Sequence, residues 1–172
     1  SQWDGAIGCK VHGNGGPGIL TSRDAYNGIR DCLIHHNAGD GIAVGTWTMK
    51  TDKRWQPVTI SNCQVHDNGG SGISFAVGAH HDNLVSGTLI YRNTGPGVRV
   101  STPLAANADT PILVRESTVA GNDAGIAIES GVRVELERVL IAFNLGAAVD
   151  CAVTPDVSLA CSALYGNAGG DW

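Results

Sequence analysis

The chain has 172 residues, 42% of them hydrophobic but only 5% aromatic, and a formal net charge of −5. That length fits one domain with a core of Val, Ile, Leu and Ala, and the negative charge counts against non-specific nucleic-acid binding, which needs a basic surface. No apolar run reaches the ~18 residues of a membrane helix, so no membrane insertion is expected.

The first recognisable element is an alternating pair, Cys9/Val11, followed by Asn14, a step through Gly16 and Gly18, and a second pair, Ile19/Thr21. The same phrase returns as Cys32/Ile34, Asn37 and Ile42/Val44, and then as Cys63/Val65, Asn68 and Ile73/Phe75. It continues as Thr88/Ile90, Asn93 and Val98/Val100, and as Ser117/Val119, Asn122 and Ile126/Ile128, where one residue is missing. Val139/Ile141, Asn144 and Val149/Cys151 follow, and Ser162/Leu164 with Asn167 close the series. An apolar residue also stands eight positions before each asparagine from the second copy on: Ile29, Ile60, Val85, Val114, Leu136 and Leu159. Successive asparagines are 23, 31, 25, 29, 22 and 23 residues apart. A period just above ~20 residues marks a solenoid. Each cluster alternates apolar and polar with period two, which is strand spacing, and no helical stripe occurs. Three short strands per coil are predicted.

These repeated N-x-G-x-G-I/V units resemble the right-handed parallel β-helix family with the pectate-lyase-like fold. The resemblance covers nearly the whole chain. It implies an all-β, right-handed parallel β-helix solenoid of about seven coils of three short strands, forming one domain over residues 1–172. Because the chain opens without a polar cap and stops inside a repeat, it is expected to be a piece of a longer protein. Stacked asparagines ~4.8 Å apart can donate to and accept from one another along the coils. The glycines two and four positions after each asparagine are expected to permit turn angles that a β-carbon forbids. Cys9, Cys32 and Cys63 share one inward column and are expected as reduced thiols, since parallel β-carbons suit a bridge poorly. The disulfide status of Cys151 and Cys161 stays open.

Against a minimal coil of 22 residues, three coils carry 9, 3 and 7 extra residues, at about Thr46–Pro57, Val77–Asn83 and Thr102–Pro111. The resemblance implies that these loops lead into the first strand of a coil and that its outer face is the saccharide groove. That face is Gly28/Arg30, Thr59/Ser61, Leu84/Ser86, Leu113/Arg115 and Glu135/Glu137. The loops add Trp47, Lys50, Lys53, Arg54, Trp55, His80 and His81. Cationic side chains grip carboxylates and indole faces stack on sugar rings. The candidate substrate-binding residues are therefore Arg30, Lys50, Lys53, Arg54, Trp55 and Arg115, with an acidic polysaccharide as the partner. β-Elimination needs a base as well as a cation, and His80, His81 and Lys53 are the candidates. The groove lacks the aspartate cluster of calcium-dependent lyases and the aspartate trio of polygalacturonase-like hydrolases, so no metal and no cofactor are expected.

A second constellation is His12, His35, His66 and Tyr91, an outward column read as an aromatic ladder whose members lower one another's protonation. Two adjacent imidazoles have room to pinch a metal, with His36 or Asp67 assisting. Three do not, because the first and third lie ~9.6 Å apart at the coil rise. The expected function is a non-catalytic β-helix module of a secreted or cell-surface protein, binding saccharide or serving as a rigid stalk. The alternatives are a polysaccharide lyase or uronate epimerase, which leaves enzymatic status open, and a filament or spike that self-associates end to end. An extracellular or cell-surface location follows from the usual habitat of the fold.

Overall fold

Every coil lays its strands down in the same order. The computed structural model describes residues 5–21, 28–45, 57–76, 83–101, 111–129, 131–152 and 156–171. The first coil holds β1 (Ala6–Ile7), β2 (Lys10–His12) and β3 (Ile19–Thr21), and the second β4 (Gly28–Arg30), β5 (Leu33–His35) and β6 (Ile42–Gly45). The third holds β7 (Thr59–Ser61), β8 (Gln64–His66) and β9 (Ile73–Ala76), and the fourth β10 (Asn83–Ser86), β11 (Leu89–Tyr91) and β12 (Val98–Val100). The fifth holds β13 (Ile112–Arg115), β14 (Thr118–Ala120) and β15 (Ile126–Ile128), and the sixth β16 (Val134–Glu137), β17 (Leu140–Ala142) and β18 (Val149–Cys151). The seventh holds β19 (Val157–Ala160) and β20 (Ala163–Tyr165), and no third strand among the described residues. The count is thus slightly short of seven three-stranded coils.

Strands of successive coils pair in parallel, giving two seven-stranded sheets and one six-stranded sheet. Register is kept residue for residue. Ile29 faces Ile60, Ile60 faces Val85, Val85 faces Val114 and Val114 faces Leu136, so like positions form files along the axis. The inward files are the apolar ones. Ile34, Ile60, Phe75, Ile90, Val119 and Ile141 have no exposed surface. Each such side chain contributes about 1.5–3 kcal/mol when fully buried. β-Branched residues dominate because they fit the pleated surface of a narrow, flat-walled core.

Two kinks per coil turn the strands into a spiral. One lies six residues before the asparagine (Gly8, Asp31, Asn62, Gly87, Glu116, Arg138 and Cys161) and the other immediately before it (Gly13, His36, Asp67, Arg92, Gly121, Phe143 and Gly166). All fourteen have φ between 50 and 72°, the left-handed region. The glycines after the asparagine have another role than the turn angles expected for them, since none of those two or four positions on from Asn14, Asn37, Asn68 and Asn93 has positive φ. They are there for space. A β-carbon on Gly18 would stand 2.7 Å from both the Asn37 side-chain nitrogen and the Gly41 carbonyl oxygen, and 2.8 Å from Ile34 Cγ2. Gly41, Gly72 and Gly97 meet the equivalent three groups of the coil that follows each.

The asparagines form the expected ladder. Asn37 donates its main-chain N–H and its Nδ2 to Asn68 Oδ1 at 3.1 and 2.9 Å. Asn68 reaches Asn93 in the same way, and Asn93 reaches Asn122. The side chains are buried, and Nδ2 finds a second acceptor in a strand carbonyl, such as Val65 O for Asn93. All five cysteines are free thiols, with Cys32 and Cys63 buried. The Cys63 thiol donates to Ser61 O at 3.2 Å, and burial pushes its pKa up to about 11.

Candidate functional site

The outer face of the first sheet is built from two files. One runs Gly28, Thr59, Leu84, Leu113, Glu135, Ser158, and the other Ile7, Arg30, Ser61, Ser86, Arg115, Glu137, Ala160. Strand alternation aims these side chains outward while Ile29, Ile60 and Val85 point into the core. The middle of the face carries the hydroxyls of Thr59, Ser61 and Ser86 beside Leu84 and Leu113, with Ser61 and Ser86 between the two arginines of one file.

The two arginines differ electrostatically. Arg115 Nε lies 3.0 Å from Glu137 Oε2, although its N–H is not aligned for a hydrogen bond. Glu137 is also held by Arg138, which reaches Glu116 at 2.8 Å. Arg133 bridges Glu135 at 2.9 Å and Asp156 at 3.6 Å. Glu135 and Glu137, on the outward face, are thus knitted into a network. Arg92 and Arg99 pair with Asp67 and Glu129. Arg30 is exposed and, among the described residues, is the arginine without a carboxylate partner.

Of the residues singled out from sequence, Arg30 and Arg115 fall on this face and in one file. Trp47, Lys50, Lys53, Arg54, Trp55, His80 and His81 lie outside the described residues, as does nearly all of the proposed loop wall. Asn83, placed at a loop edge from sequence, instead begins β10 and accepts the Val58 N–H at 3.0 Å.

The second sheet carries the aromatic column. His12 stacks on His35 at 5.1 Å, His35 on His66 at 5.2 Å, and His66 on Tyr91 at 4.6 Å between ring centroids. Burial, and then the neighbouring His36 and His66, hold the His35 pKa below its usual value. The second kink adds further side chains to this column, Arg92 among them, which the sequence reading did not name. At His36, Asp67 and Arg92 the left-handed residue before the asparagine brings its side chain beside that of the preceding residue, which a straight strand would put on the opposite face. His36 Nδ1 comes within 2.6 Å of His35 Nδ1, Asp67 Oδ2 within 2.6 Å of His66 Nδ1, and the Arg92 guanidinium within 4.9 Å of the Tyr91 centroid. Arg92 also donates twice to Asp67, at 2.9 and 2.6 Å, and these bonds depress the Asp67 pKa to about 2. Among the described residues no group of three or more His, Cys, Asp or Glu side chains is arranged to hold a metal. Nor is any helix there long and apolar enough to cross a membrane.

The family described as right-handed β-helix region matches residues 6–162. Among solved structures the fold is similar to that of pectate lyase Pel9A, with a TM-score of 0.67 and 14% identity over 87% of this chain and 40% of that one. It is also similar to the periplasmic alginate epimerase AlgG, with a TM-score of 0.73 and 16% identity over 92% of this chain and 39% of that one. The chain therefore spans about two-fifths of the length of either structure. No curated protein matches the sequence.

Proposed function

Since the chain belongs to the right-handed β-helix family, we propose that it is a polysaccharide-binding module acting outside the cytoplasm, with an acidic polysaccharide on the outer face of its first sheet. The observation that carries this reading is Arg30, an exposed guanidinium without a carboxylate partner among the described residues, followed in its file by Ser61 and Ser86. A guanidinium binds a carboxylate through two parallel hydrogen bonds. The hydroxyls of Thr59, Ser61 and Ser86 offer donors and acceptors to sugar hydroxyls at the ~4.8 Å step of the coils. A polymer lying along the axis from Arg30 meets the hydroxyls of Ser61 and then Ser86 on the next two coils. Arg115 plays a smaller part, because Glu137 already engages it. The described part of the face holds no histidine or lysine to act as base, and its two glutamates are committed to arginines, which favours binding over turnover. The likeness to a pectate lyase and an alginate epimerase supports the substrate class by fold analogy.

Affinity electrophoresis through gels containing polygalacturonate or alginate, with a neutral glucan as control, tests the reading. Retardation by the acidic polymers alone is expected, weakened about tenfold in Arg30→Ala, since a hydrogen bond to a charged group contributes about 1.5 kcal/mol or more. Unretarded migration in every gel overturns it. A rise in ultraviolet absorbance from unsaturated uronates would replace the binding module with a lyase.

A further inference from the structure

We propose that His35 and His36 form a two-imidazole chelate for a borderline divalent transition-metal ion such as zinc or copper, on the second sheet and away from the first-sheet face. The kink at His36, with φ of 54°, turns its ring edge-on to that of His35, with centroids 4.9 Å apart and planes at 86°. Their Nδ1 atoms face each other at 2.6 Å, so one of them donates its hydrogen to the other. Two nitrogens on one tetrahedral zinc stand ~3.4 Å apart, given Zn–N bonds of ~2.1 Å. A small rotation of the exposed His36 ring opens the pair to that distance. The ring that carries hydrogen on Nδ1 moves it to Nε2, and both lone pairs then face the ion with both rings neutral.

The neighbouring groups define this pair by contrast. The stacked rings cannot share an ion without leaving the stack, because planes only 7° and 4° from parallel direct their in-plane lone pairs side by side and not at a common point. His66 and Asp67 hold one another, and Asp67 is further tied to Arg92. Water completes the coordination, leaving positions open to an external oxygen or nitrogen ligand. Imidazole is the side chain suited to zinc, nickel and copper, with copper the tightest by the usual order of divalent ions.

The test is zinc titration of the untagged protein, followed by equilibrium dialysis and by the imidazole nitrogen resonances. Three proteins are compared: the parent chain, His36→Gly, and a variant with His80→Ala and His81→Ala. Glycine suits the left-handed backbone at position 36, so His36→Gly removes a ligand without straining the fold. The parent and the His80/His81 variant are expected to bind a single zinc per chain with shifts at His35 and His36. His36→Gly is expected to lose at least about tenfold in affinity, the lower end of what losing even an outer-shell partner costs. Copper should compete zinc away. No zinc uptake by the parent at sub-millimolar metal, equal uptake by His36→Gly, or loss of uptake in the His80/His81 variant overturns the assignment.

Discussion

Asn167 donates both its main-chain N–H and its Nδ2 to one oxygen of Asp171, at 3.0 and 2.8 Å. These are the two bonds that Asn144 makes to Asn167 and that every earlier asparagine makes to the next. Asp171 Oδ1 thus stands where another asparagine oxygen would. The ladder has a direction, with donors running towards higher residue numbers, and a carboxylate receives the last pair.

The bonds from Asn167 hold the Asp171 carboxyl below the usual carboxylate range. A carboxyl with a depressed folded pKa adds stability above its unfolded pKa, and that stability is lost as pH falls through the folded value. The contact is expected to be intact at neutral pH, to begin losing its contribution below about pH 4, where an ordinary aspartate takes up its proton, and to fail as pH falls further through the depressed folded value. Amide exchange at Asn167, corrected for the intrinsic rate, checks this. Protection should drop on acidification and should already be lost at neutral pH in Asp171→Ala. Unchanged protection in that variant refutes the contact.

Asn93→Ala is expected to cost about 2–5 kcal/mol. It leaves the Asn68 N–H and Nδ2 without their acceptor and removes a donor from Val65 O, all in buried surroundings where an unmet polar group is expensive. A urea melt followed by far-ultraviolet circular dichroism should show the midpoint falling accordingly. A loss below about 0.5 kcal/mol, typical of surface substitutions, would mean that the ladder carries little stability.

Gly72 and Gly28 separate the two uses of glycine. A β-carbon on Gly72 would meet Ile90 Cγ2, stand 2.6 Å from Gly97 O and lie 2.9 Å from Asn93 Nδ2, so Gly72→Ala should cost about 1–3 kcal/mol or more as overpacking. A β-carbon on Gly28 meets nothing within 4 Å, and Gly28→Ala should stay within about 0.5 kcal/mol of the parent. Thermal midpoints of the two variants give the comparison, and equal losses would contradict it.

Thiol titration with a chromogenic disulfide should divide the cysteines into two classes. Cys9, Cys151 and Cys161 are exposed and should react at once, while Cys32 and Cys63 are buried and should wait for unfolding. The Cys63 pKa of about 11 lies above the ~8.5 of an unfolded thiol. Its contribution to stability is therefore full below about pH 8.5 and is lost as pH rises towards 11. Five equally fast thiols at neutral pH would contradict the burial.

The fold was legible in the sequence because residue type and position coincide in the files: Ile29, Ile60 and Val85 repeat at one offset from the asparagine and do face one another. The kinks were not legible, since Asp31, Cys161, Arg92 and Phe143 have no chemistry in common and only the backbone angle unites them. The glycine files were visible, but sequence does not distinguish a residue needing positive φ from one denied room by the next coil. At the site, Arg115 and Glu137 share one offset on successive coils, so their pairing carried a sequence signal that a residue-by-residue reading passed over. The sequence suggested His36 or Asp67 beside the histidine column but not how either reaches it, because strand alternation puts adjacent residues on opposite faces unless a kink intervenes.

Amide exchange of the chain with and without an acidic oligosaccharide is the most direct measurement of where a ligand binds. Binding on the first sheet predicts added protection at Gly28–Arg30, Thr59–Ser61 and Asn83–Ser86, and its loss in Arg30→Ala. Protection confined to the second or third sheet, or none at saturating ligand, would contradict a polysaccharide on this face.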